Sequence, residues 1–349
     1  MTDKIIRGSG GPPPTPPSPT RAPDTLNSRQ FATIQDLLSE GEIEGFATPS
    51  KAGLTKGTTA YNNAALKDIF LNDTPILNSS ASNTSPQTSD FNFQNVGFTP
   101  RFGTSNQEHI PGIESSQSTT AVGVTVTNSS PVTRQITNTN VDAVKVTITF
   151  PQLQRATDEG DLLGSSVQLK IQIQYNGGGF NDAFSPDTIT GRTADAYQKE
   201  YRVNLTGAFP VDIRVVRITA DSTSSNLVDA FTWTSLGEIV DDKQRYLNSA
   251  YTNLRIDSEQ FSSIPKRAFR IRGVKVRIPA ANGGLTPTVD SQTGRIIYPP
   301  NYIFNGTMGA AQWCSCPSLI LLDLLTTERY GFGTHITDSN LDLFSFVAA

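Results

Sequence analysis

Val167, Leu169, Ile171, Ile173 and Tyr175 alternate with Gln168, Lys170, Gln172 and Gln174. This is the cleanest period-two pattern in the chain and predicts a strand with one buried and one wet face. Asn176-Gly177-Gly178-Gly179 then turns the chain back. Residues 141–150, 201–205 and 211–219 share the strand character. Strands at this spacing with polar turns predict an antiparallel sandwich or barrel. Helical spacing appears earlier. Phe31, Ile34, Leu37 and Leu38 follow Ser28 as an apolar stripe, predicting a short helix that Gly41 ends. Ile69, Phe70 and Leu71 read as a strand, with Asn72-Asp73 as a turn pair closed by Pro75. Residues 78–120 are Ser-, Thr- and Asn-rich and predict long loops. Between 268 and 278 the alternation changes phase at Gly273, which predicts a bulge or bend. Pro317 opens a second helix with Leu319, Leu322 and Leu325 on its apolar face, and Gly331 and Gly333 stop it. A last segment carries Leu341, Leu343, Phe344 and Val347.

Composition narrows the classes. The 28 basic and 32 acidic residues give a net charge of -4, against the basic excess that a general nucleic-acid binder needs. Charged residues are 17% of the chain, a polar but weakly charged balance common in β-rich extracellular and viral structural proteins. Cys314 and Cys316 are one residue apart and badly placed to bridge each other, so no disulfide framework is expected. The longest strongly apolar run, Leu319 to Leu322, is too short to span a bilayer. The start of the chain lacks a long apolar h-region, so it reads as made and folded in a cytoplasm. Residues 8–27 are rich in Gly, Pro, Ser and Thr and read as an extended arm, disordered or docked on a neighbouring subunit.

Candidate chemistry is sparse. His109 and His335 have no nucleophile or acid at a motif spacing. Cys314-Ser315-Cys316 has no second Cys/His pair to complete a zinc site. Asp338-Ser339-Asn340-Leu341-Asp342 begins like a calcium loop, but Leu343 stands where the glycine belongs. Gly177 to Gly179 lack the Lys-Ser/Thr pair of a phosphate loop. Asp158, Glu159 and Asp161 are neighbours in a turn, which does not define a carboxylate pair. No catalytic, cofactor-binding or metal residue is assigned, no cofactor is expected, and the chain reads as a non-enzyme. Lys266, Arg267, Arg270, Arg272, Lys275 and Arg277 crowd one strand region, either as a solvated face or as a basic seam against an acidic neighbour.

Two blocks carry a stronger signal: DLLSEGEIEGF at 36–46 and LKDIFLNDTPI at 66–76. With Ala22-Pro23-Asp24-Thr25-Leu26 before them, they resemble the opening of the tail tip attachment protein J family of lambda-like, long-tailed bacteriophages. The likeness continues at 222–227, WTSLGEI (233–239), 257–261, 270–273, Asn305-Gly306 with Trp313, and LLDLLTTERYGFG (321–333), and is looser over 78–210. The resemblance marks Glu40, Gly41, Glu42, Ile43, Glu44 and Gly45 as fold and assembly elements, then Asn72, Asp73, Pro75 and Trp233. It marks Asp257, Ser258, Gln260, Arg272 and Gly273 in the same way, and finally Trp313, Arg329, Tyr330 and Gly331.

The fold class implied is mainly β: an antiparallel hub barrel or sheet domain with an inserted β-sandwich and a few short helices. The expected organisation is a disordered arm at 1–27, a discontinuous hub domain at 28–80 plus 229–311, an inserted sandwich at 81–228, and the truncated start of a next hub domain at 312–349. Residues 69–71 are expected to pair with 231–240 or 250–257. The family implies a structural virion protein at the distal end of the phage tail, the central tail hub for host attachment and tail assembly. It implies a homotrimer in the full-length context, with the distal tail protein, the tape measure protein and other tail tip proteins as partners. Assembly would take place in the host cytoplasm, with the host surface receptor met only through a C-terminal region that this chain lacks. Two other readings stand beside it. One is a carbohydrate- or protein-binding β-sandwich adhesion module using Phe91, Phe93, Phe98 and Phe102 on exposed loops. The other is a wall-thinning enzyme, which needs converging carboxylates or a histidine-built metal site.

Overall fold

The computed structural model describes residues 18–28, 31–257, 260–261 and 263–348. The chain divides into two compact units, 1–28 with 114–241, and 29–113 with 242–349.

The first unit is a sandwich of two antiparallel sheets. One sheet runs Tyr197–Asn204, Ala143–Phe150, Thr232–Asp241, Glu114–Thr125. The other runs Asn181–Asp182, Ser165–Tyr175, Val211–Arg217, Val132–Ile136, with Asp187–Gly191 also on the central strand. The alternation in 167–175 does what its period demands. Val167, Leu169 and Ile171 are buried and meet Val211, Ile213 and Val215 in one core with Val146, Ile148, Phe231 and Trp233. Arg217 and Asp229 are buried together at its margin, 2.7 Å apart.

The second unit is built from smaller antiparallel pieces. Phe31–Glu40 lies beside Ser249–Asp257, which also pairs with Gly97–Phe102. Ile43–Phe46 pairs with Ile271–Val274, and Ile69–Leu71 with Arg267–Phe269 and Thr74–Pro75. Val276–Pro279 pairs with Met308–Gln312. Phe46, Tyr61, Ile69, Leu71, Leu254 and Ile256 form one core, and Val276 and Ile278 join Leu319 and Leu322 of the helix Pro317–Thr326 in another. The molecule is mainly β with a few short helices. None of the sheets of the described residues closes into a barrel.

Several expectations are corrected. Residues 31–40 are a strand, not a helix. Ala32, Ile34 and Leu38 face the core at even positions, with a register shift between Leu37 and Ser39. The helical look came from outward apolar residues: Leu37 is 62% exposed, and Phe31 lies under the Arg255 guanidinium at 3.5 Å. Residues 78–120 are not all loop, because 97–102 and 114–125 are strands. The second is an exposed edge of Ser and Thr, with no buried face to write an alternation. The phase change near Gly273 is a change of sheet at Lys275: residues 271–274 pair with 43–46 and residues 276–279 with 308–312. Residues 69–71 pair with 267–269 rather than with 231–240 or 250–257. The sandwich spans 114–241, where 81–228 was expected, and Ala81, Phe91, Phe93, Phe98 and Phe102 belong to the second unit's core. Within the expected disordered arm, 18–27 are extended and hydrogen-bonded, and 1–17 lie outside the described residues.

Candidate functional site

All the basic residues of 266–277 except Arg272 meet acids of their own chain, drawn from four segments. Arg267 donates Nε to Asp36 Oδ2 at 2.7 Å and NH2 to Oδ1 at 2.9 Å. Arg270 Nε donates to Asp68 Oδ1 at 2.7 Å. Lys275 Nζ reaches Glu42 at 2.7 Å and Glu44 at 3.8 Å. Arg277 grips Asp338 with NH1 at 2.7 Å and NH2 at 2.8 Å. Lys266 approaches Asp73 at 3.9 Å, where both are well exposed. Arg272 lies 4.1 Å over the Trp313 ring. The forked arginine pairs fix two partners in one geometry, as planar guanidinium and carboxylate groups do. The bond from Arg277 holds the Asp338 carboxyl below its ordinary range, and that from Asp36 holds the Arg267 guanidinium above its own.

Asp68 is the deepest of these acids. It is 0% exposed and accepts from Thr48 N at 2.5 Å and Thr48 Oγ1 at 2.8 Å as well as from Arg270. It therefore ties the short helix Ala47–Lys51 to the end of the helix Thr59–Leu66, just before Ile69.

The block 40–45 is a run of close approaches. Glu40 Oε2 accepts from Arg329 Nε at 2.5 Å and from Ser249 Oγ at 3.3 Å. Gly41, at φ +99°, passes so near the 330 side chain that a Cβ would lie 3.1 Å from Tyr330 Cε1 and 3.1 Å from Val274 Cγ1. Ile43 is buried opposite Val274. Gly45, at φ +135°, leaves room for the Tyr61 hydroxyl, which accepts from Phe46 N at 3.1 Å. Gly331 has the same role by the helix end, since a Cβ there would meet Leu324 O at 2.1 Å.

A cleft of about 680 Å³ opens beside this block, lined by Glu40, Gly273, Val274, Val276, Trp313, Cys314, Ser315, Ile320, Asp323, Leu324 and Tyr330. Tyr330 donates its hydroxyl to Asp323 Oδ2 at 2.6 Å. Burial, and then that bond, pushes its phenol up to about 12. Burial also raises the Cys314 thiol.

The remaining marked residues fall elsewhere. Asn72 and Asp73 take left-handed turns at φ +48° and +65°, and Asn72 Oδ1 accepts from Lys266 N at 2.9 Å. Pro75 pairs with Phe70, and its carbonyl accepts from Asn92. Asp257 accepts from Asn95 Nδ2 at 3.1 Å. Gln260 makes a two-way bond with the backbone of Gln94 at 2.7 and 2.6 Å. Ser258 lies outside the described residues. Trp233 is not part of this frame; it sits in the sandwich core and donates to Ser235 O at 2.8 Å. Sequence reasoning missed Asp36, Asp68 and Asp338 as partners, because acids 231, 202 and 61 positions from their bases leave no spacing to read.

His109 and His335 contribute backbone bonds, to Arg101 NH2 and Phe332 O. No cluster of three or more His, Cys, Asp or Glu suited to a metal ion occurs among the described residues. Phe93 stacks on Phe261, and Phe98 and Phe102 pack edge-on against Phe46 and Tyr61.

Residues 116–242 match the family described as Tip attachment protein J, FNIII-A domain. This coincides within two residues with the sandwich segment 114–241. The tip attachment protein J of Escherichia phage SECphi4 is 30% identical over 345 residues, covering 97% of this chain and 27% of that protein. Over nearly its whole length the chain resembles the tip attachment protein J family. A second tip attachment protein J, from Escherichia phage SECphi27, is 28% identical over 351 residues, 100% of this chain and 26% of that protein. The chain thus spans about a quarter of the length of the curated J proteins it matches. Among solved structures, one titled "CBM4 structure and function" covers 52% of this chain and 95% of its own at 13% identity, with a TM-score of 0.18, too low to assign fold or ligand. Sequence likeness to the J proteins runs through both units, and the blocks 40–46, 66–76, 270–273 and 321–333 are those that interlock around the seam.

Proposed function

We propose that this chain is a structural, non-enzymatic part of the phage tail tip, the frame on which a central tail hub is built. One observation carries the reading: four blocks spread over some 290 positions close on one another through ion pairs and glycine contacts. The chemistry favours a scaffold over a catalyst. Asp36, Glu42, Asp68 and Asp338 are each held by an arginine or lysine of the same chain, so they serve as joints rather than as a poised acid or base. In this reading three copies surround the tail axis and meet the distal tail and tape measure proteins during assembly in the host cytoplasm. Host-receptor contact falls to portions of the longer J proteins that this chain does not span.

The test is location in the virion. An epitope placed in the open turn at Gly177–Gly179, where a Cβ on Gly177 or Gly179 meets nothing within 4 Å, leaves the core alone. Gold-labelled antibody is expected at the tail end distal to the head in electron micrographs of intact phage. Label on the head, or virions that lack the chain, would overturn the proposal.

A further inference from the structure

Residues 18–28 run extended along the sandwich as a strap. Thr20 donates N and Oγ1 to Asp161 Oδ1 at 2.5 and 2.9 Å. Ala22 N donates to Leu162 O at 2.8 Å and Leu162 N to Thr20 O at 2.9 Å, so the strap pairs in parallel with Leu162–Leu163. Thr25 N donates to Arg192 O at 2.9 Å, and Arg192 N donates to Thr25 Oγ1 at 3.1 Å. Gln198 N donates to Ser28 Oγ at 3.0 Å. Leu26 packs against the sandwich core.

The groove beneath is shaped for such a segment. The Arg192 side chain is 2% exposed, pairs with Asp24, and donates NH1 to Ala22 O at 2.8 Å. Without the strap its one remaining polar partner among the described residues is Gln154 Oε1 at 3.3 Å, and its Nε already lacks one. Gly191 makes the slot: a Cβ there would lie 2.6 Å from Thr25 Oγ1 and 2.9 Å from Leu26 Cγ. An emptied groove would leave the guanidinium without its carboxylate and its backbone acceptor, so the groove favours an occupant. The occupant must bring an extended backbone, an acid, and a small-then-aliphatic pair.

The strap is held by polar bonds of modest net worth, and most of its residues are exposed. The same residues from another copy would make the same bonds. Occupancy by its own strap or by a neighbour's then differs only in local concentration, the condition for segment exchange.

We propose that the Arg192 groove is a peptide-acceptor site for an Ala-Pro-Asp-Thr-Leu segment, and that residues 22–26 of a second copy occupy it when copies lie side by side. The proposal goes beyond the tail-tip reading and is separable from it. A chain that reaches the tail with its strap always intramolecular would sink this inference and leave that one standing.

The test uses the full chain with Thr20→Cys and Asp161→Cys, and with Cys314→Ser and Cys316→Ser to remove the native thiols. After mild warming and cooling at two concentrations, a short bismaleimide joins whichever strap and groove are paired. The ratio of linked multimers to internally linked monomer is expected to rise about tenfold for a tenfold rise in protein concentration. Internal links alone at both concentrations, or multimers equally abundant in the single-cysteine controls, overturn the proposal. As a second measurement, a fluorescent peptide of residues 18–28 added to the unsubstituted chain is expected to be captured. An Asp24→Ala peptide should bind about tenfold more weakly, the equivalent of one lost charged bond. Equal binding of the two peptides, or none, also overturns it.

Discussion

Arg329 reaches Glu40 across 289 positions of chain, Nε to Oε2 at 2.5 Å, and gives NH2 to Ser249 Oγ at 2.7 Å. The contact marks where the first and last blocks of the frame close. Both partners are 42% exposed, so water screens the pair and its worth is at most about 1 kcal/mol. The neighbouring Gly41 is under more constraint, with a left-handed backbone and two side chains at 3.1 Å from any Cβ. Glu40→Ala and Arg329→Ala are each expected to lower stability by less than about 1 kcal/mol. Gly41→Ala should cost about 1–3 kcal/mol. Urea unfolding of the three variants checks the order; a larger loss for either charge deletion would show that the joint is electrostatic.

Gly45 offers a sharper case. A methyl group there would lie 2.2 Å from the Tyr61 hydroxyl, at a φ of +135°. Gly45→Ala is expected to cost about 3 kcal/mol or more, from strain and overlap together. Tyr61→Phe relieves the overlap but strands the buried Phe46 N–H, for about 1–3 kcal/mol. In the double variant the losses should be less than additive, as thermal unfolding would show.

Asp68 and Arg270 are unequal partners. The carboxylate is buried and accepts three bonds, whereas Arg270 is more than half exposed. Asp68→Ala should cost about 3 kcal/mol, by leaving the Thr48 donors without an acceptor. Arg270→Ala leaves those donors satisfied and should cost roughly a third of that. Equal losses in urea unfolding would contradict the burial argument.

Stability should respond to pH at both ends. The Tyr330 phenol is raised to about 12 by burial and by its bond to Asp323. Its neutral form is favoured in the folded chain, so its contribution is complete below about pH 10, the free phenol value, and is lost as pH rises towards 12. Asp338 is lowered by Arg277, so its contribution is complete above about pH 4 and is lost as pH falls through the depressed value. Absorbance titration at 295 nm should show several late-ionising tyrosines, since burial also raises Tyr61 and Tyr201, and Asp323→Asn is expected to bring one of them down. An unmoved titration would sever Tyr330 from Asp323.

The legible parts of this chain are those whose physics is local. Period-two alternation over 167–175 writes a buried face, the Asn176–Gly179 run writes a turn, and Pro317 with its leucines writes a helix. The same local logic misread 31–40, because a strand whose outward positions hold Phe31 and Leu37 imitates a helical stripe until its neighbour 249–257 is known. It was silent on 114–125, where an edge strand with no buried face needs no pattern at all.

Sequence likeness alone marked the blocks that matter, and the run of arginines and lysines at 266–277 was visible as a charge cluster. Whether that cluster met water or acid was undecidable from order along the chain. Asp36, Glu42, Asp68 and Asp338 reach it from four separate segments, and nothing local records such distances. Composition and periodicity determined a mainly β molecule with little charge. Only tertiary packing chose the partners, because an ion pair or a glycine contact depends on separation in space, to which position in sequence contributes nothing beyond a few residues.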